Sequence, residues 1–159
     1  MNDELPQRKQ PAHQPATVVF NRVVIIHVTV CTDKRKPIMA AADVHQLLLS
    51  AWQAADHWRV GRYMILPDHI HLFCAPAIHD YPALARWVHF WKSWASQHWP
   101  RQTEQPVWQK SFWDTQLRRS EDYAVKWEYV RHNCVRHGYV ATPEVWPYQG
   151  EMNELRWHD

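Results

Sequence analysis

Met64–Pro76, read MILPDHIHLFCAP, is the stretch that decides the fold. It is an apolar run, broken by the turn chemistry of Pro67 and Asp68, into which two histidines are set one residue apart. Read as a strand, it turns His69 and His71 to one face and Ile70 and Leu72 to the other. At about 3.4 Å of rise per residue the two α-carbons stand roughly 7 Å apart. Both rings can then converge on one small object, such as a metal ion. The preceding run Val60–Leu66, VGRYMIL, reads as a second strand, antiparallel to the histidine strand across the Pro67–Asp68 turn.

Working outward, Val18–Cys31 (VVFNRVVIIHVTVC) is rich in β-branched residues and reads as a strand. Val24, Ile26, Val28 and Val30 fall on one face, and Ile25, His27, Thr29 and Cys31 on the other. After the charged loop TDKRKP, Val44, Leu47, Leu48, Ala51 and Ala55 recur at helical spacing, which predicts an amphipathic helix over about Met39–Trp58. Leu84, Trp87, Val88, Trp91 and Ala95 predict a second helix over Tyr81–Trp99. Ser111–Arg118 reads as a short strand. Ser120 is placed to cap a third helix, with Glu121 and Asp122 in its first turn, running to His137 and stopping at Gly138. Residues 139–159 are broken by prolines and read as an irregular tail.

The order strand, helix, strand, strand, helix, strand, helix is the split βαβ pattern of the ferredoxin-like α+β fold. Two helices cover one face of an antiparallel sheet, and the third is free to cover the other. In the usual strand order of that fold the histidine strand lies beside the first, which brings His27 and Thr29 near the pair. At 159 residues the chain is long enough for one domain. Residues 17–159 are assigned to it, and residues 1–16, polar and proline-rich, read as a flexible tail.

The formal charge of +2 supplies no global electrostatic argument for nucleic-acid binding. Eleven tryptophans serve equally as core or as base-stacking platforms. Of three at helical spacing, Trp87 and Trp91 are read as packed and Trp94 is left open. Cys31, Cys74 and Cys134, odd in number and each in an apolar run, read as buried reduced thiols, and hence point to a cytoplasmic setting. No stretch approaches the roughly 18 apolar residues of a membrane span, and the N-terminus lacks the apolar centre of a signal peptide.

On the third helix Tyr123, Trp127, Val130 and Cys134 form the packed stripe, while Tyr129 and Asn133, four apart, share a different face. A phenol and a carboxamide thus stand side by side. If that helix crosses the open face of the sheet, both meet the histidines. Such an assembly suits phosphodiester cleavage: a tyrosine with a pKa near 10 is a weak nucleophile at neutral pH and needs activation and a polarised target. A divalent ion held by His69, His71 and Asn133 would act as Lewis acid on the phosphate. Mg²⁺ or Mn²⁺ suit this role, and imidazole equally suits zinc.

MILPDHIHLF, VWQKSFWDTQLRRSEDY, WEYVRHNCVRHGYV and WPYQGEMNELRW, taken in order and spacing, resemble the REP-associated tyrosine transposases, members of the HUH single-tyrosine transposases. The resemblance runs from about Thr17 to the C-terminus. It implies an enzyme of DNA transposition that cleaves single-stranded DNA beside a hairpin, links the 5′ phosphate to a tyrosine, leaves a 3′ hydroxyl and can reverse the step on another end. His69 and His71 match the histidine pair, Tyr129 the nucleophile and Asn133 the polar metal ligand. The family usually continues Asn-Pro; here Cys134 follows Asn133, which would allow a more regular helix. Tyr139 likewise stands where an aliphatic residue is common.

An isolated His-x-His in a chain with twelve histidines carries little weight; joined to Tyr129, Asn133 and the linked motifs it carries much more. Arg62, Lys110, Arg118, Arg119, Lys126, Arg131 and Arg136, with Lys92, are candidates for a stripe along the DNA backbone. Asp114 is left outside the catalytic set. The alternative reading is a catalytically silent hairpin-DNA-binding protein of the same fold. A replication-initiator or relaxase relative is weaker, given the short chain and the lack of a helicase segment. The active unit is a monomer or a homodimer.

Overall fold

The computed structural model describes residues 24–156, so the expected tail over residues 1–16 and the strand positions before Val24 lie outside the described residues. In chain order the elements are β1 (Ile26–Cys31), α1 (Ala42–Ala54), β2 (Trp58–Ile65), β3 (His69–Pro76), α2 (Leu84–Gln97), β4 (Trp113–Gln116), α3 (Ser120–Arg131), α4 (Asn133–Arg136) and β5 (Gln149–Glu151). The five strands form one antiparallel sheet in the order β4-β1-β3-β2-β5. This is the ferredoxin-like split βαβ arrangement, with the histidine strand at its centre beside β1.

Alternation along β1 and β3 divides the interior in two. Val24, Ile26, Val28, Val30, Ile70, Leu72 and Cys74 face α1 and α2, packing with Leu48, Trp52, Trp87 and Trp91. Ile25 and Phe73 face the other way, into a smaller core with Val130, Cys134 and the half-buried Tyr123 and Trp127. Each fully buried side chain of this size contributes roughly 1.5–3 kcal/mol, so both faces of the sheet are held. Trp87 and Trp91 are core, as read, whereas Trp94 is half-buried and stacks on His98 at 4.0 Å between ring centres. The three cysteines are buried and reduced. No helix among the described residues is long and apolar enough to cross a membrane.

Three expectations need correction. The tail is not wholly irregular, because Gln149–Glu151 adds a fifth strand along β2. The third helix begins at Ser120, so the cap position falls on Arg119, whose backbone N–H donates to the Asp122 carboxylate at 3.2 Å. The side chains of Ser120 and Glu121 lie outside the described residues. Nor is that helix continuous: it breaks at His132 and resumes as the short α4, which ends before Gly138 in the left-handed region at φ 78°.

A bulge in β2 ties α3 to the sheet. Val60 pairs with Cys74 and Tyr63 with Leu72, so one extra residue sits on β2 between them. The Arg62 N–H, turned out of the ladder, donates to the Tyr123 hydroxyl at 3.0 Å. A methyl on Gly61 would meet that hydroxyl and the Leu155 side chain at 2.6 Å. Gly61→Ala is therefore expected to destabilise by about 1–3 kcal/mol through overpacking, and Tyr123→Phe by about 1 kcal/mol through the lost hydrogen bond. Because both act on one contact, denaturant unfolding of the double variant should show less than the sum. Full additivity would mean that the bulge does not hold α3.

Candidate active site

Period-two alternation and the β1–β3 register assemble the site. Thr29 stands opposite His71, Cys31 opposite His69 and His27 opposite Phe73, so His27 reaches His71 diagonally on the face that α3 and α4 cover. The His69 and His71 rings lie 5.0 Å apart, nearly perpendicular. Both are buried, as is Asn133.

Each histidine is oriented through its Nδ1. The Asp68 carboxylate accepts from His69 Nδ1 at 2.8 Å and also takes Arg35 in an ion pair at 3.0 Å. Burial alone would raise the Asp68 carboxyl, but the bonds and charges of His69 and Arg35 outweigh it and hold it below its usual value. At His71, Nδ1 lies 3.0 Å from His27 Nε2 and 3.2 Å from Thr29 Oγ1, while Nε2 receives the Asn133 Nδ2 at 3.3 Å. With the Asn133 amide nitrogen facing Nε2, the His71 proton sits on Nδ1. Burial, then the charges of His69, His27, Arg136 and Lys126, pushes His71 well below the ordinary imidazole value. His27, stacked on Phe73 at 4.8 Å, is held at about 3 by burial and by Lys126.

A carboxylate hydrogen-bonded to one histidine nitrogen, with the other nitrogen left to ligate, is the usual support of a metal-binding imidazole. His69 has this arrangement through Asp68, and His71 a neutral version of it through His27 and Thr29. Among the described residues no group of three or more His, Cys, Asp or Glu side chains could hold a metal ion. A third protein ligand would therefore be an amide, and Asn133 can present its oxygen to His71 by exchanging the two ends of its carboxamide. His69, His71 and Asn133 are thus the residues whose chemistry fits a divalent ion.

A small cavity of about 70 Å³ opens beside them, and Tyr129, His71, His27, Asn133, Asp114 and Lys126 are among its lining residues. The structure so brings Tyr129 and Asn133 to the same space as the histidine face. Tyr129 is 39% exposed, accessible to a polymer laid along the surface. The break at His132 puts Cys134 in the first turn of α4, where proline is tolerated, so the departure from Asn-Pro does not make the helix regular.

The candidate cations divide. Lys126 lines the cavity, and Arg118 lines the adjoining groove with Thr115 and Val125. Arg119 sits at the head of α3. Arg62 pairs with Glu151 at 3.5 Å, and Arg131 bonds Glu128 and Glu144 at 2.8 and 2.7 Å. Lys110 lies elsewhere, in a groove with His89 and Trp108. Lys92 is not part of a stripe: it is buried, its Nζ donates to the Gln109 carbonyl at 2.7 Å, and burial lowers it to about 8. Sequence reasoning took Asp68 only as a turn residue and passed over His137, whose ring lies 5.8 Å from His69. The adjacency of Asp68 to the His-x-His pair was the signal for the first.

No sequence-family profile matches the chain. Its sequence is similar to the REP-associated tyrosine transposase of Escherichia coli, at 25% identity over 113 residues covering 65% of this chain and 66% of that one. A Haemophilus influenzae relative carrying the same family name is 32% identical over 103 residues, 58% of each chain. The match thus spans about three-fifths of the length of these curated relatives. The fold is that of a solved REP-associated tyrosine transposase bound to a REP hairpin, with a TM-score of 0.67 and 21% identity over 86% of this chain and 81% of that one. A Deinococcus radiodurans crystal structure described as a candidate transposase gives 0.52 and 14%, over 76% and 98%. Sheet order, histidine face and covering helix define a split βαβ domain with the fold of these two solved structures. In sequence the chain is similar to REP-associated tyrosine transposases.

The buried imidazoles make stability acid-sensitive. His27 binds its proton near 6.5 when unfolded and only near pH 3 when folded, so unfolding takes up a proton at pH values between the two. Stability is fully present above that window and falls through it, by up to about 1.4 kcal/mol per pH unit for one such group. Melting temperature in chelator should therefore drop from pH 6.5 to pH 4, and drop less steeply in His27→Gln, which keeps an acceptor for His71 but does not titrate. Parallel curves for the two proteins would remove His27 as the cause.

Proposed function

We propose that the chain is a cytoplasmic, nucleoid-associated HUH-type transposase acting on single-stranded DNA beside a hairpin. The observation that carries this reading is the cavity in which Tyr129, His71 and Asn133 meet, next to a His69 already oriented by Asp68. Tyr129 Oη attacks the scissile phosphorus in line, the bond to the 3′ oxygen breaks, and a 5′-phosphotyrosine link forms. The phenol passes its proton to solvent water and the departing 3′ oxygen takes one from it, so the step is neutral in protons overall. His69, His71 and Asn133 would hold Mg²⁺ or Mn²⁺, which when bound supplies Lewis-acid polarisation of the phosphate. Neutral ligands leave such an ion its full charge for the substrate. Lys126 and Arg118 in the cavity and its adjoining groove, with Arg119 at the head of α3, would contact the strand's phosphates. Reversal on a second 3′ hydroxyl completes strand transfer.

Labelled hairpin DNA with a single-stranded flank tests the reading. With Mg²⁺ or Mn²⁺ a denaturation-resistant protein–DNA adduct should form, disappear with chelator and be abolished in Tyr129→Phe. Asp68→Ala should lower Mn²⁺ affinity about 10–100-fold, as loss of a metal-orienting carboxylate does, with His69→Ala at least as severe. Tight hairpin binding with no adduct under either metal would replace the enzyme with a silent hairpin-binding protein.

A further inference from the structure

Arg136 returns twice to Tyr129 from the far side of the helix break. Its Nη1 donates to the Tyr129 carbonyl oxygen at 3.0 Å, and its guanidinium carbon lies 4.1 Å from the centre of the Tyr129 ring. Its Nη2 is buried and has no hydrogen-bond partner among the described residues. The nearby glutamates Glu128 and Glu144 are both taken by Arg131 instead. A buried guanidinium nitrogen without an acceptor is costly, and such groups in folded proteins call for an anion, a water or a catalytic role. Its charge is also felt at His71.

We propose that Arg136 is a catalytic residue of this site, holding the Tyr129 ring across the break between α3 and α4 and offering Nη2 to the phosphate that the phenol attacks. This deepens the reading of Tyr129 as nucleophile and rests on it. Planarity does both tasks at once: one guanidinium face lies on the ring while its edge donates to the backbone and to a phosphate oxygen. A lysine would keep the charge and lose the stacked plane and the second nitrogen. Arg136 thus differs from the remaining cations, which a strand could use interchangeably for backbone neutralisation.

The test compares Arg136→Lys and Arg136→Gln with the unaltered protein. In single-turnover adduct formation on saturating hairpin DNA, Arg136→Lys should be slowed at least about tenfold, as for loss of one donor to a developing anion, with hairpin affinity within about threefold. With 3-fluorotyrosine in place of Tyr129, the fluorine resonance should shift and sharpen in both variants as the ring is released. A rate within about threefold of the unaltered protein, or rate and affinity falling together, overturns the catalytic part, since a simple phosphate contact would weaken binding instead. An unmoved fluorine line overturns the ring-holding part. If the unaltered protein forms no adduct, the nucleophile reading fails and the phosphate contact with it, while the fluorine line still decides whether Arg136 holds Tyr129.

Discussion

The β1–β3 register is the constraint on which the site depends. Six consecutive pairs, from Ile26 opposite Cys74 to Cys31 opposite His69, fix which face each histidine occupies. A slip of one residue would turn His69 and His71 into the core under α1 and α2, and Ile70 and Leu72 toward α3. The slip is resisted from both sides, because the two faces carry different cores and only one has a place for imidazoles. Ile26, Val28, Ile70 and Leu72 therefore contribute to the site without touching it. The same register sets His27 diagonally across from His71, where it accepts the Nδ1 proton beside Thr29.

The second half of the site is brought in by a broken helix, and the break has a use. On a continuous helix Tyr129 and Asn133 would stand directly above one another. With the turn at His132, Asn133 is buried against His71 while Tyr129 stays part-exposed on the outer wall of the cavity. On the proposed reading, in which Asn133 holds an ion and Tyr129 is the nucleophile, the one is served by burial and the other by access for a polymer, which one straight helix face combines poorly. Arg136 then closes the gap that the break opens, by bonding back to the carbonyl of Tyr129.

What could be read from the sequence follows the range of the interactions involved. Alternation over β1 and β3 and the helical stripes of α1, α2 and α3 are local periodicities, and they gave the strand order, the two faces and the placing of Tyr129, Asn133, His69 and His71. The break at His132 was illegible because neither proline nor glycine marks it. β5 was illegible because three residues, Gln149–Glu151, carry no period, and their pairing depends on the edge that β2 presents beyond its bulge. Lys92 misled for a third reason: a lysine between Trp91 and Ser93 looks solvated, yet it is buried, its backbone carbonyl accepts from Trp108 Nε1, and its amine donates to the carbonyl of Gln109, distant in sequence.

The electrostatics of the histidine face follow from burial rather than from net charge. Burial, with Lys126 at His27 and with His69, His27, Arg136 and Lys126 at His71, keeps both imidazoles neutral, so that His27 can accept from His71 Nδ1 while His71 Nε2 keeps its lone pair near neutral pH. Asp68, bonded to His69, is shared with Arg35, and Asp114 is among the residues lining the cavity. The cavity lining carries one cation, Lys126, and one carboxylate, Asp114, beside the neutral imidazoles, so its side chains alone give it no strong net charge. On the proposed reading, the divalent ion that His69, His71 and Asn133 would hold supplies the positive charge that draws a phosphate there. Selectivity for the scissile linkage then comes from that ion and from the small size of the enclosure, and attraction to the rest of the strand from the cations around the head of α3.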